Sequence, residues 1–192
     1  LRTKFVHLYV KDTTTGGNNE FTDYGLYTYV EQLNKKTLKA HGLDANSHLY
    51  KINEFEFYRY EDIIKLKDDP DFNEAAFEYL IETKGDDNHQ KLIDMLKDVN
   101  DFSKSAYDIL DKHFDIENLS YWMAFHILMG NADTQSRNVY IYSPLNLDKW
   151  YFISWDNDGS LSKTEYAQMN RVSYSEWETG ISNYWGNVLF QR

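Results

Sequence analysis

Asn131-Ala132-Asp133-Thr134-Gln135-Ser136-Arg137-Asn138 is a polar loop. It lies between an apolar segment and two alternating runs, Val139-Tyr140-Ile141-Tyr142 and Trp150-Tyr151-Phe152-Ile153-Ser154-Trp155. The second run ends in Asp156-Asn157-Asp158-Gly159. Upstream, between Asn118 and Gly130, nine of eleven residues are apolar and only Ser120 and His126 are not. That composition predicts a central helix buried on nearly every side and stopped at Gly130, with His126 a core histidine outside any site. The two runs alternate with the period of two that strands require and are joined through Pro144, which predicts a β-hairpin. Helix, loop, strand, turn, strand and carboxylate in this order decide the fold class as α+β.

Three helical stripes precede the apolar segment. Phe72, Ala76, Phe77 and Leu80 share a face after Asp69-Pro70, with Gly85 past their end. Leu92, Ile93, Leu96 and Val99 mark a second stripe, and Ala106, Ile109, Leu110 and Phe114 a third. The acidic residues between them read as solvated faces. The first third of the chain alternates instead. Phe5 to Val10 and Tyr24 to Val30 flank the turn-rich Thr13 to Asn19, which predicts another β-hairpin. Gly16-Gly17 belong to its turn, because they lack the spacing of a nucleotide-binding loop. A helix is expected from Glu31 through Leu33, Thr37 and Leu38 to Gly42, then a short strand around Leu49-Tyr50-Lys51. No repeat, low-complexity tract or flexible linker divides the chain, so one domain is expected over 1–192.

Composition narrows the function. The 192 residues carry 31 Asp and Glu against 20 Lys and Arg, a formal charge of −11, so nucleic acid would be repelled. With 42% hydrophobic and 17% aromatic residues the chain can build a sizeable core. It has no cysteine, which removes disulfides, thiolate metal sites and cysteine nucleophiles. No apolar run reaches the roughly 18 residues of a membrane span, so none is expected. Opening on Leu1 and closing on Leu189-Phe190-Gln191-Arg192, the chain reads as truncated at both ends.

A polar loop leaving a buried helix, followed by a hairpin that delivers another carboxylate, presents acidic groups to one cleft. The candidates are Asp133, Asn138, Asp156 and Asp158. Phosphoryl transfer needs a carboxylate near the attacking hydroxyl and oxygen ligands that hold Mg²⁺ against nucleotide phosphates. Protein kinases supply them from D-x-x-x-x-N followed by a strand-borne Asp. Asp133 and Asn138 have that spacing, and Asp156 follows 18 residues later across a hairpin. Asp68 and Asn73 share the interval without those neighbours, so the order of elements carries the reading. Plain turn-forming roles for the same residues are the alternative. A calcium loop at Ser154 to Glu165 matches the EF-hand pattern at positions 3, 5, 6 and 12, but Ser154 replaces the first Asp and a strand precedes it where a helix is needed. G-x-S-x-G and H-E-x-x-H hydrolase signatures are absent.

Tyr24-Gly25-Leu26-Tyr27-Thr28-Tyr29-Val30-Glu31, His48-Leu49-Tyr50-Lys51, Asn131-Ala132-Asp133 with Asn138, and Trp155-Asp156 together resemble the CotH family of atypical kinases, which are spore-coat and secreted bacterial proteins. The resemblance covers roughly residues 5 to 60 and 115 to 160. It implies a kinase-like fold. Residues 1–34 would be a partial small lobe, with its β-hairpin and a hinge at Glu31-Gln32-Leu33 beside the adenine. Residues 35–192 would be a mainly helical large lobe carrying the second β-hairpin.

The resemblance further implies Asp133 as the base that accepts the substrate hydroxyl proton, and Asn138 and Asp156 as ligands of Mg²⁺ bridging the ATP phosphates. Asp158 is a weaker ligand candidate. Lys51 and Arg137 would contact phosphate, although Lys51 reads equally as a surface lysine and Arg137 as the partner of a neighbouring acid. The implied activity is Mg²⁺-dependent transfer of the γ-phosphoryl group of ATP to Ser/Thr hydroxyls of coat or secreted proteins. Ser/Thr-rich, basic segments are the expected protein partners, and the expected location is extracellular, the cell surface or a spore coat. Asn131-Ala132 stand where ordinary kinases have His-Arg, and Asn157-Asp158 follow Asp156 where they have Phe-Gly. A non-catalytic surface or coat module of the same fold is the alternative function, its many Tyr and Trp residues serving an interface.

Overall fold

Two antiparallel sheets and five α-helices make up the described residues of the computed structural model, which are 1–129, 131, 133–160 and 187–192. The chain is α+β, as expected. It divides into two units, Leu1–Leu43 and Asp44–Arg192.

In the first unit β1 (Thr3–Lys11) and β2 (Phe21–Val30) pair from Thr3 opposite Val30 to Lys11 opposite Phe21. The register shifts between Leu8 and Tyr9, where Gly25 takes φ +85° and donates its N–H to Asp23 Oδ1 at 2.7 Å. Gly16-Gly17 do serve the turn. Gly17 donates to the Thr14 carbonyl at 2.9 Å, and a Cβ there would meet the Asp12 carbonyl oxygen at 2.6 Å. Both faces of the hairpin carry exposed apolar side chains, Phe5 (75%) and Leu26 (68%) on one, Tyr27 and Tyr29 on the other. α1 (Lys35–Ala40) starts later than the apolar pattern predicts, because Asn34 caps it and accepts the N–H groups of Lys36 and Thr37.

In the second unit four strands lie in the order β4-β3-β5-β6, all antiparallel. They are β3 (Ser47–Ile52), β4 (Ile81–Thr83), β5 (Val139–Pro144) and β6 (Tyr151–Ser154). The second hairpin is therefore β5-β6, built into a larger sheet. β3 extends the expected strand, whereas β4 has no alternating pattern to announce it. α2 (Glu74–Leu80) begins at Asn73, whose side chain accepts the Ala76 N–H; Asp69-Pro70 instead form a turn closed by Phe72 N–H on the Asp69 carbonyl. α3 (Gln90–Val99) and α4 (Ala106–His113) match the second and third stripes.

The apolar segment is α5 (Ile116–Met129), and it corrects the prediction of burial on nearly every side. Leu119, Trp122 and His126 are its buried residues, while Tyr121 (70%) and Leu128 (80%) are exposed. A helix apolar all round gives no periodicity from which to read its inward face, and here that face is set by packing on β6. The Trp122 and Phe152 rings lie 4.8 Å apart, centroid to centroid. The predicted stop at Gly130 lies outside the described residues, as do residues 161–165 of the calcium-loop alternative.

The core joins one sheet face, Tyr50, Ile52, Val139, Ile141 and Phe152, to Phe77, Leu92, Met95, Leu96 and Trp122 from the helices. Val188 and Leu189, in a region with no legible motif, also enter it.

Candidate functional site

Ile52 lies opposite both Ile81 and Val139, and Val139 lies opposite Ser154, so one cross-strand row spans all four strands. The chain leaves the sheet just past this row. Asn53 and Glu54, Arg137 and Asn138, and Trp155 and Asp156 therefore emerge at the same end. The topology brings two of the predicted metal-binding positions, Asn138 and Asp156, to neighbouring strand ends.

Both positions have unusual backbone. Asn138 takes φ +55° and Asp156 φ +54°, ψ +62°, in the left-handed region that costs side-chain-bearing residues energy and that Asn and Asp tolerate best. Asp156 and Asp158 are exposed, and Asp156 leads into a one-turn helix at Asn157–Gly159. Trp155 sets its ring edge-on to Tyr140, 5.5 Å between centroids. Asp133 opens a one-turn helix, Asp133–Gln135, five residues before Asn138. The Asp133 side chain lies outside the described residues.

The rest of the loop is buried. Asn131, Thr134, Gln135 and Ser136 have almost no exposure. Asn131 Oδ1, Thr134 Oγ1, Gln135 Oε1 and Ser136 Oγ are without hydrogen-bond partners among the described residues. Buried polar atoms are normally paired, so four orphans in six consecutive residues mark this loop out from the scaffold. Backbone bonds fasten it: Phe55 N–H donates to the Ser136 carbonyl at 2.8 Å, and Asn187 Nδ2 to the Gln135 carbonyl.

The basic candidates are held by acids. Arg137 Nη2 pairs with Glu54 at 2.9 Å, a meeting that follows from each lying two residues beyond the Ile52–Val139 pair. Lys51 Nζ lies 3.3 Å from Glu82 Oε1. Glu82 also accepts from Lys84 and Asn53, and these bonds, the Lys84 ammonium first, hold its carboxyl down to about 2 against the opposing effect of burial. In the other unit, Glu31 accepts from the Arg2 N–H at 2.9 Å and lies 2.8 Å from His41 Nε2. The His41 bond, then the Arg2 bond, lower its pKa below the usual carboxylate range.

Asn138, Asp156 and Asp158 each offer side-chain oxygen, the donor type that suits a hard divalent cation such as Mg²⁺ and not a thiophilic metal. Among the described residues no three His, Asp or Glu side chains converge into a cage for a metal ion. Mg²⁺ at phosphoryl-transfer sites takes one or two carboxylates plus substrate phosphates, and the residue types at these positions are compatible with that.

A family model described as CotH kinase protein matches residues 1–192, the whole chain. The chain belongs to the CotH kinase family. A comparison with curated proteins gave no match. Membership suggests a kinase-like function, and a kinase family implies ATP and a divalent metal.

In this CotH-family chain two supports of the loop escaped the sequence reading. Glu54 carries no local pattern that sets it apart from other surface acids. His126 is a core histidine, as expected, yet it touches the loop. Its Nε2 lies 3.0 Å from Ser154 Oγ and its Nδ1 3.3 Å from Asn131 Nδ2. A histidine in the apolar second half of the helix was the available signal.

Proposed function

We propose that the chain is an atypical protein kinase that transfers the γ-phosphoryl group of ATP to Ser/Thr hydroxyls, with Asp133 as base and Asn138, Asp156 and the weaker Asp158 holding Mg²⁺. The observation that supports this most is the pair of left-handed backbones at Asn138 and Asp156, at adjacent strand ends and in the chain order a kinase requires. Strained backbone persists where the surroundings hold it, and such positions cluster at functional sites.

The bound cation supplies charge neutralisation at the phosphates. The chain's own residues do the rest. The Asp133 carboxylate takes the proton of the attacking hydroxyl as its oxygen forms a bond to the γ-phosphorus and the bond from that phosphorus to ADP breaks. Lys51 and Arg137 supply positive charge, each positioned by its glutamate, and Glu31 serves as the hinge residue with its carboxylate fixed by Arg2 and His41. Residues 1–34 contribute the small-lobe hairpin and hinge of one kinase-like domain, and residues 35–192 the large lobe. Substrates are Ser/Thr-rich, basic protein segments, favoured in encounter by the −11 charge, and the setting is extracellular, the cell surface or a spore coat. No helix among the described residues is long and apolar enough to cross a membrane.

The exposed aromatic residues of the β1-β2 hairpin favour a second reading, a non-catalytic module that binds a partner. Calorimetry with ATP and Mg²⁺ separates the two. The kinase reading expects Mg²⁺-dependent nucleotide binding that weakens at least tenfold in Asn138→Ala and Asp156→Ala. A folded wild type that binds no nucleotide favours the partner-binding module.

A further inference from the structure

The proposed base and the proposed metal ligands sit on two separate stretches of chain. Asp133 and Asn138 follow α5, whereas Asp156 and Asp158 follow β6. Catalytic groups must hold their spacing to about 0.5 Å, so something must tie the two stretches together. The β5–β6 pairing does so up to the Val139–Ser154 pair, beyond which both stretches leave the sheet. A second tie runs through side chains.

His126 is fully buried on α5. Its Nε2 meets Ser154 Oγ at 3.0 Å, two residues before Asp156. Its Nδ1 meets Asn131 Nδ2 at 3.3 Å, two residues before Asp133. The same Asn131 Nδ2 donates to Asn157 Oδ1 at 3.3 Å, directly after Asp156. Asn131 N–H also donates to the His126 carbonyl at 3.0 Å. With Nδ2 of Asn131 facing the ring, Nδ1 of His126 accepts and Nε2 carries the proton that it donates to Ser154. One imidazole therefore reads both stretches at once, as an acceptor for one and a donor for the other. Trp122 and Phe125 hold its ring, with centroids 4.7 Å and 5.0 Å away.

We infer that His126 is a positioning residue for the transfer reaction, locking the loop that carries Asp133 and Asn138 to the strand end that carries Asp156 through a Ser154–His126–Asn131–Asn157 chain of hydrogen bonds. The inference rests on the kinase reading for its consequence and on the geometry alone for the lock. Burial keeps the imidazole neutral by holding its pKa down to about 4, which preserves the donor–acceptor division. Leucine at this position fills much of the space and makes neither bond; glutamine offers one donor and one acceptor. Alanine at the exposed Asn157 cuts the far end of the chain without disturbing the core.

The test uses the whole chain and the variants His126→Leu, His126→Gln and Asn157→Ala, read by two methods. Hydrogen exchange reports the lock without catalysis. His126→Leu is expected to speed exchange in both 131–138 and 154–158, and Asn157→Ala to do so more weakly. Steady-state kinetics reports the consequence. Loss of an outer positioning partner costs roughly 10–100-fold, so kcat is expected to fall by that factor in His126→Leu, with KM for ATP changed less than threefold and with partial recovery in His126→Gln. Faster exchange confined to one stretch, or a folded His126→Leu with kcat within twofold of wild type, overturns the inference. If His126→Leu does not fold, Asn157→Ala decides by the same two readouts. A wild type without transfer activity but with coupled exchange sinks the kinase reading and leaves the lock standing.

Discussion

Replacing Asp156 by glycine and, separately, by alanine tests whether its conformation is kept for function or for stability. Asp156 is exposed, sits at φ +54°, ψ +62°, and its side chain makes no capping hydrogen bond to the turn it begins. With no side-chain hydrogen bond or ion pair to lose among the described residues, the expected stability change comes chiefly from the backbone. A left-handed residue bearing a Cβ costs about 1 kcal/mol or more, and glycine avoids this while giving back roughly 0.5–1 kcal/mol through the freedom of its unfolded chain. Asp156→Gly is expected to match wild type within about 0.5 kcal/mol, the range of a neutral surface change. Asp156→Ala, which lacks the local polar tolerance of Asp, is expected to lose about 1 kcal/mol. For a chain of this size that is a Tm difference of about 2–4 °C between the two variants, measurable by scanning calorimetry. Transfer of labelled phosphate from ATP is expected to fall more than 10²-fold in both, because a direct ligand costs more than outer partners whose loss already costs roughly 10–100-fold. A glycine variant as destabilised as the alanine variant refutes the backbone argument, and one that keeps Mg²⁺-dependent transfer refutes the metal assignment.

Asp98 is buried on α3 and accepts from Lys104, from Lys112 at 2.6 Å and from His113 Nε2 at 2.7 Å, so its carboxyl is held far below the usual range, chiefly by the two lysines. The lysine heads are largely exposed and add little, so Asp98→Ala should cost about 2–3 kcal/mol, mostly from stranding the buried His113 donor; urea unfolding at pH 7 checks this. Because the folded pKa is depressed, that contribution is present above the unfolded value near 4 and is lost as pH falls through the folded one, so the gap between variant and wild type should narrow below pH 4. His89 and His126 are both held down to about 4 by burial, which places their folded pKa below the unfolded value of 6.5. Between those values the unfolded chain binds more protons, so stability should fall as pH drops from about 6.5 towards 4, by up to about 1.4 kcal/mol per pH unit per histidine. Equal urea midpoints at pH 7 and pH 5 contradict this.

Elements with a strong local period were legible in the sequence. The β1-β2 and β5-β6 hairpins alternate along both arms, and α3 and α4 repeat their apolar positions every three or four residues. β4 was not legible because Ile81-Glu82-Thr83 is three residues long and exists by pairing with β3, a partner some thirty positions away. The start of α2 moved because Asn73, not Asp69, supplies the capping oxygen, and both residues look like caps in isolation. The inward face of α5 could not be read from a helix apolar all round. At the site, the positions of Asn138 and Asp156 at one end of the sheet follow from the hairpin register, which the alternation already contained. The ties that hold them, Glu54 to Arg137 and His126 to Asn131 and Ser154, join residues between 5 and 83 positions apart and depend on packing that no local window records.

Phosphate incorporation into a basic, Ser-rich protein from γ-labelled ATP and Mg²⁺, with wild type beside Asp133→Asn, tests the central claim most directly. Asparagine keeps the size and the turn preference of aspartate but cannot take the hydroxyl proton at neutral pH. The account predicts transfer by wild type that falls by at least about 10²-fold in a folded Asp133→Asn. A folded wild type that transfers nothing, or an Asp133→Asn variant as active as wild type, contradicts it.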